Sequence, residues 1–280
     1  MKSRRVRQSE FGNALEAVLE PSEAASTARI VFEDVFDVLK KPDQPLTDRE
    51  ESELLSIQNQ LLQGEPVQYV LGMADFMGLR FKVDARVLIP RMDTEELVIQ
   101  VERWIKKNDK KQAKLLDVGT GSGCIALTLK SHFPSLHVTA LDYSAAAIEL
   151  AAENAKVLGL DVNFIEANFL QKSQQPDSRF DIVVSNPPYI PPSERIHMPT
   201  RVIEYEPDLA LFVPEEDPML FYQAIGEYAF TQLNPDGACF FEINEFRALE
   251  VMEVLKKIGF KTVECIQDLS GADRVVWAAI

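Results

Sequence analysis

Asn186-Pro187-Pro188-Tyr189 follows an apolar run that ends at Val183-Val184, and these residue types suit the holding of one flat, nitrogen-bearing group. The asparagine carbonyl is a hydrogen-bond acceptor. The two prolines lack the N–H that a neighbouring strand would need, so they end the ladder and fix the chain, including the Pro187 carbonyl. Two fixed acceptors can take both N–H groups of an amide or an exocyclic aromatic amine, while Tyr189 stacks on its face. Such a nitrogen is a poor nucleophile because its lone pair is delocalised. Holding both N–H groups orients it and favours a pyramidal nitrogen aimed at an electrophile. No strong base is required, since the nitrogen becomes acidic only after it has been alkylated.

A second set of residues lies upstream. LLDVGTGSG, at 115–123, reads as a strand followed by glycines at a helix start. Gly119, Gly121 and Gly123 allow backbone to approach a ligand closely. Asp142 ends the next strand, where a carboxylate can accept both hydrogen bonds of a ribose diol. A dinucleotide fingerprint, G-x-G-x-x-G, would need its third glycine where this chain has Cys124. Asp117 stands just before the loop, and a carboxylate there disfavours a pyrophosphate. It suits S-adenosylmethionine, which carries a sulfonium and an ammonium and no phosphate. Loop, acid and proline clamp together point to methyl transfer onto a planar nitrogen.

Three kinds of segment must position these residues. Residues 1–74 read as a small helical unit, with helical character over 10–63. Its apolar stripes are Leu15, Val18 and Leu19, then Ile30, Val31, Val35, Phe36 and Leu39. Thr47 with Glu50 forms a capping-box pattern that opens a third helix, ending near Gly64. Residues 75–90 suggest a hairpin linker turning at Gly78. From 91 to 280 a helix from Asp93 is followed by alternating strands and helices, the pattern of an α/β sheet with parallel strands. Asn234-Pro235-Asp236-Gly237 reads as a turn before a fifth strand, and the last two strands as an antiparallel pair.

The net charge of −15 opposes association with nucleic acid, where affinity comes largely from cations neutralising phosphates. Arg4-Arg5-Val6-Arg7 reads as a solvated tail, and Lys106, Lys107, Lys110 and Lys111 as a solvated helix end. Cys124, Cys239 and Cys265 are far apart and read as buried free thiols in a reducing compartment. His132, His137 and His197 are scattered, so no metal site is expected. No apolar run approaches membrane-spanning length and no signal-peptide pattern opens the chain, which points to the cytoplasm.

DVGTGSG, Asp142 and NPPY together resemble the class I S-adenosylmethionine-dependent methyltransferases that act on planar nitrogens. GEPVQYVLG (64–72), FMGLRFKV (76–83), LIPRMDTEELV (88–98) and DLSGADRVV (268–276) are similar to the HemK/PrmC branch, the peptide-chain release factor glutamine N5-methyltransferases. The resemblance implies a Rossmann-like seven-stranded sheet with a small helical N-terminal substrate-recognition domain. It implies methylation of the glutamine in the Gly-Gly-Gln tip of class-1 release factors, with S-adenosylhomocysteine as product. Carried over residue by residue, the cofactor would be held by Asp117, Gly119, Thr120, Gly121, Ser122, Gly123, Asp142, Asn168, Phe169 and Asn186. The glutamine would be held by Asn186, Pro187, Pro188 and Tyr189. Three residues depart from the family pattern: Asn168 for an acid, Met92 for a proline or acid, and Asn244 for a glycine. A ribosomal-protein glutamine and an adenine N6 or guanine N2 in nucleic acid are the rival substrates, and a cofactor-binding protein without activity is the non-catalytic alternative. Glu204 and Glu206 read either as channel-lining or as solvated loop charges, and Arg91 either as orienting the substrate loop or as pairing with Glu95.

Overall fold

Alternating apolar segments beyond Lys114 fold as parallel strands, and the amphipathic segments between them as covering helices. The computed structural model describes residues 2–280. It divides into two units: the chain up to Met73 with Pro199–Tyr205, and Ala74–Met198 with Glu206–Ile280.

The smaller unit is helical: α1 (Arg4–Leu15), α2 (Pro21–Asp34), α3 (Asp48–Leu62) and α4 (Val67–Leu71). Its core gathers Phe11, Leu15, Val31, Phe32, Phe36, Leu54 and Leu61. Thr47 and Glu50 form the expected capping box, and Gly64 follows α3 with φ of +92°. Two sequence readings are corrected here. The stripe through Leu39 fails because α2 stops at Asp34; Phe36 and Val38 turn inward while Leu39 is exposed. The arginine run is no solvated tail, since it opens α1 and Arg4 is buried. Arg4 Nε donates to Phe36 O (2.7 Å), Nη1 to Pro45 O (2.9 Å) and Nη2 to Glu50 Oε1 (2.6 Å). Phe36 O and Pro45 O, at the two ends of the 36–45 loop, thus find their donors in one guanidinium.

The larger unit contains a hairpin, β1 (Met73–Phe76) and β2 (Leu79–Lys82), turning at Gly78. Phe76 and Phe81 lie in the core of that unit. There follow α5 (Met92–Lys107), β3 (Lys114–Val118), α6 (Cys124–His132), β4 (His137–Asp142), α7 (Ala145–Leu158), β5 (Asn163–Glu166) and β6 (Phe180–Ser185). After α8 (Thr200–Tyr205), which belongs to the smaller unit, come α9 (Asp208–Leu211), α10 (Leu220–Gln232), β7 (Leu233–Glu242), α11 (Ala248–Ile258), β8 (Thr262–Gln267) and β9 (Asp273–Ala279).

The seven strands run in the order β5-β4-β3-β6-β7-β9-β8, parallel from β5 to β7, with β9 antiparallel to both neighbours. Adjacent residues face opposite ways, so Leu115, Val184 and Phe240 join the core under α5 and α6, while Leu116, Val183 and Phe241 join that under α10 and α11. β4 leaves β3 on one side and β6 pairs on the other, which opens a crevice at the carboxyl ends of β3 and β6. The turn at 234–237 is corrected: β7 already starts at Leu233, and these residues form an irregularity, with Phe180 opposite Leu233 but Ile182 opposite Ala238. Asp181 anchors it by accepting from Asn234 Nδ2 (3.1 Å). Cys265 is half-buried rather than buried.

Candidate active site

The glycine loop leaves β3 and is pinned by the neighbouring strand. Gly119 N and Thr120 N both donate to Leu141 O (2.8 and 2.9 Å), and Gly121 N donates to Asp142 Oδ2 (2.8 Å). Ser144 N supplies Asp142 Oδ1 (2.9 Å), so the carboxylate is aimed by backbone on both sides. Burial raises the Asp142 pKa, and these N–H groups oppose the rise. Each oxygen keeps acceptor capacity toward the crevice. Gly121 has φ of +55° and open space where a Cβ would stand. Gly123 serves packing instead: at φ of +81° its Cβ would meet Leu127 Cδ1 at 2.9 Å. From α7, Asn154 Nδ2 holds the loop through Ser122 O (2.9 Å).

A cavity of about 400 Å³ lies over these ends, walled by Gly119, Thr120, Gly121, Ser122, Asp142, Asn168, Phe169, Asn186, Pro187 and Pro188 among others. Of the residues expected to hold cofactor or glutamine, Asp117, Gly123 and Tyr189 lie outside that wall. Asp117 is wholly buried behind the loop. Its Oδ2 accepts from Thr120 Oγ1 (2.6 Å), and the Ala126 backbone N–H in the first turn of α6 also favours its charged form. Burial, reinforced by the Asp142 charge, pushes this carboxyl up to about 7. Tyr189 packs against the core under α10 and α11, and burial chiefly raises its hydroxyl pKa.

At the far wall, Asn168 Oδ1 accepts from Leu170 N (3.1 Å) and Asn168 N donates to Gln174 Oε1 (2.7 Å), so the side chain is spent partly on its own turn. Phe169 meets Tyr228 edge-on at 5.1 Å. Asn244 needs no glycine-like backbone: its φ is −67° and its Oδ1 caps Phe246 N (3.0 Å).

The end of β6 leads into Asn186 and the two prolines. Ser185 Oγ donates to Val118 O (2.7 Å), closing β6 onto β3 just before Asn186. Asn186 Nδ2 donates to Thr94 Oγ1 (3.2 Å) on α5. Arg91 pairs with Glu206, and Glu206 Oε2 also accepts from Ile89 N (3.1 Å). The Glu95 alternative fails, because Glu95 accepts from Met77 N (3.0 Å), and Glu206 is buried rather than solvated, whereas Glu204 is exposed. Sequence reading missed Thr94 and Glu242. Thr94 is buried inside the opening turn of α5, where it reads as a helix starter. Glu242 carried one signal: a charge closing the apolar run Ala238–Phe241. It is 2% exposed, and burial raises its carboxyl to about 7.

A doubly covered sheet in this order, with a glycine loop after β3 and a carboxylate after β4 at its switch point, is the class I S-adenosylmethionine-dependent methyltransferase fold. Two domain families match the chain, the Methyltransferase small domain over 99–204 and the PrmC N-terminal domain over 13–72. A Flavobacterium psychrophilum release factor glutamine methyltransferase is 40% identical, with 96% of each chain covered. A Lactococcus lactis protein of the same name is 42% identical over 83% of this chain and 84% of its own. The fold is shared with a T. thermophilus 16S rRNA methyltransferase solved with AdoMet and guanosine, at a TM-score of 0.53, 17% identity, and coverage of 74% of this chain and 49% of that one. The chain belongs to the release factor glutamine methyltransferase family.

Proposed function

We propose that this enzyme moves the methyl group of S-adenosylmethionine to the side-chain nitrogen of the glutamine in the Gly-Gly-Gln tip of class-1 peptide chain release factors. The observation that carries the reading is Asn186, held by its Nδ2 at Thr94 in the cavity wall beside Pro187 and within the same cavity as Asp142.

The wall chemistry fits that cofactor. Gly121 leaves space a Cβ would fill, and the Asp142 carboxylate can accept from a ribose diol. Arg86 and Arg91, the cations in the wall, are already paired with Asp84 (2.7 Å) and Glu206, so neither is free for a pyrophosphate. Gly119, Thr120, Ser122 and Gly123 shape the loop around the methionine part, while Asn168 and Phe169 border the adenine end. Asp117 acts from behind the loop through Thr120. Bound there, the cofactor supplies an electrophilic methyl group on a sulfonium.

The chain's own residues supply orientation. Asn186 Oδ1 and the Pro187 carbonyl accept the two N–H groups of the glutamine amide, and Pro188 and Tyr189 border its plane. The transferred methyl leaves a cationic nitrogen, which sheds its proton readily, so no dedicated strong base is needed. The helical residues 1–74 are proposed to recognise the release factor. A net charge of −15 favours a protein substrate over nucleic acid, and no helix among the described residues is long and apolar enough to cross a membrane.

Incubation with labelled S-adenosylmethionine and a purified release factor tests the proposal, alongside a release factor whose tip glutamine is alanine. Label is expected on the first protein and not on the second. Equal label on both, or label on added nucleic acid or ribosomal protein alone, would overturn the assignment.

A further inference from the structure

An asparagine amide has two ends of nearly equal shape, one accepting and one donating. Only its hydrogen-bond partners decide which end faces a site. For the clamp to receive an amide N–H, Asn186 must present Oδ1 to the cavity and turn Nδ2 inward. What lies inward is therefore what sets the chemistry of the clamp.

Nδ2 points at Thr94 Oγ1 (3.2 Å), and Thr94 is 2% exposed. Behind it stands Glu242, at the carboxyl end of β7, one residue past the Ser185–Phe241 pair that joins β7 to β6. Thr94 and Asn186 both favour the ionised Glu242 carboxylate. Its Oε2 is buried with no partner among the described residues. A hydroxyl has one hydrogen. When Thr94 gives it to the carboxylate, only lone pairs remain for Asn186, which must then offer its donor end. An Oδ1 turned inward would set acceptor against carboxylate, which is repulsive.

We propose that Glu242, acting through Thr94, is the positioning residue that fixes the orientation of the Asn186 amide and so makes Asn186 an acceptor toward the substrate. This inference rests on the function proposed above. Glu242 is not itself part of the cavity wall; it stands behind the wall residues Thr94 and Asn186. Its influence depends on its charge. Once protonated it can donate to Thr94, the Thr94 hydrogen turns to Asn186, and the relay reverses to favour Nδ2 facing the cavity. A donor then meets the substrate's donor.

The charged and titratable groups around Glu242 come from several elements. Arg274 on β9 favours its ionised form and Asp93 on α5 opposes it. Tyr189, Tyr222 on α10 and Cys124 on α6 also feel its charge, and each of these is itself held protonated by burial. With the carboxyl at about 7, Glu242 is the group in this cluster whose charge changes near neutrality.

The test compares Glu242→Gln, Thr94→Val and Thr94→Ser. Glu242→Gln and Thr94→Val are each expected to lower kcat by roughly 10- to 100-fold with cofactor affinity unchanged, the cost of a misplaced reacting group. The double variant should lose no more than the worse single, because both cut one relay. Thr94→Ser, which keeps the hydroxyl, should stay near the wild-type rate. Wild-type kcat should fall as pH drops through about 7, and Glu242→Gln should be flat at its low level. A wild-type rate and pH profile in Glu242→Gln, or equal loss in the serine and valine variants, would overturn the proposal. The side-chain NH2 signals of Asn186, followed by nuclear magnetic resonance without substrate, separate this inference from the assigned function. They should titrate near neutrality in the wild type and not in Glu242→Gln, whether or not a release factor is methylated. Signals indifferent to pH in the wild type would refute the relay.

Discussion

The cavity has a glycine-loop end and a β6 end, each backed by a buried acid, and the two acids are wired differently. Asp117 stands behind the glycine loop and Glu242 behind Asn186 at the β6 end. Burial raises each to about 7. Asp117 bonds to Thr120, three residues along its own loop. Glu242 stands beside Asn186 and Thr94, the latter on a helix distant in sequence, and Asn186 donates to Thr94. The glycine-loop end is thus tied together by local chain and backbone N–H groups, and the β6 end by side chains converging from α5, the end of β6 and β7. Local wiring resists change because its partners cannot separate. Converging wiring can be reset by one proton.

Variants at each end should separate in kind as well as in size. Asn186→Ala is expected to have the largest effect, lowering kcat roughly 100- to 1,000-fold, the scale for removing one preorganised polar contact to a transition state. Calorimetry should find cofactor binding retained. If binding is lost instead, the two ends are not separate. Asp142→Ala should act in the reverse way, weakening cofactor affinity by roughly 10- to 100-fold, as for a hydrogen bond to a charged group at about 1.5–3 kcal/mol. Unchanged affinity would remove the ribose role.

The smallest effect concerns stability. Because the folded pKa of Asp117 is raised from 3.8 to about 7, the folded state binds its proton more tightly than the unfolded state does. The stability this contributes is present in full below 3.8 and is lost as pH rises through about 7. Asp117→Asn keeps an acceptor for Thr120 and removes the ionisation. It should exceed the wild type at pH 8 by on the order of 1–3 kcal/mol, with the gap closing toward pH 4 in thermal melts. A pH-independent difference would show that the buried acid is not the source.

Much of the frame was legible because its causes are local. The Thr47–Glu50 capping box, the Ser144 cap on α7 and the turn at Gly78 depend on residues within a few positions of one another. The alternation of strand and helix follows from a change of apolar period. The glycine loop and Asp142 were legible for the same reason, since both are spaced along one strand–helix–strand unit. Reading failed where a polar side chain serves a distant partner. Arg4 resembles a tail until the 36–45 loop is folded against it. Arg91 has Glu95 one helical turn away, yet pairs with Glu206 from beyond β6. Asp117 was legible as an acid before the loop, but its retreat behind Thr120 was not.

By itself the sequence determined the order of strands and helices along the chain, the glycine loop, the acid after β4 and the asparagine–proline clamp after β6. Backbone stereochemistry and apolar periodicity act over a few residues, and these features need nothing more. The tertiary structure alone decided which carboxylates are buried, which side chains share a hydrogen, and which end of the Asn186 amide faces the cavity. Desolvation and hydrogen-bond direction are set by the atoms that surround a group, and in this fold those atoms come from remote parts of the chain.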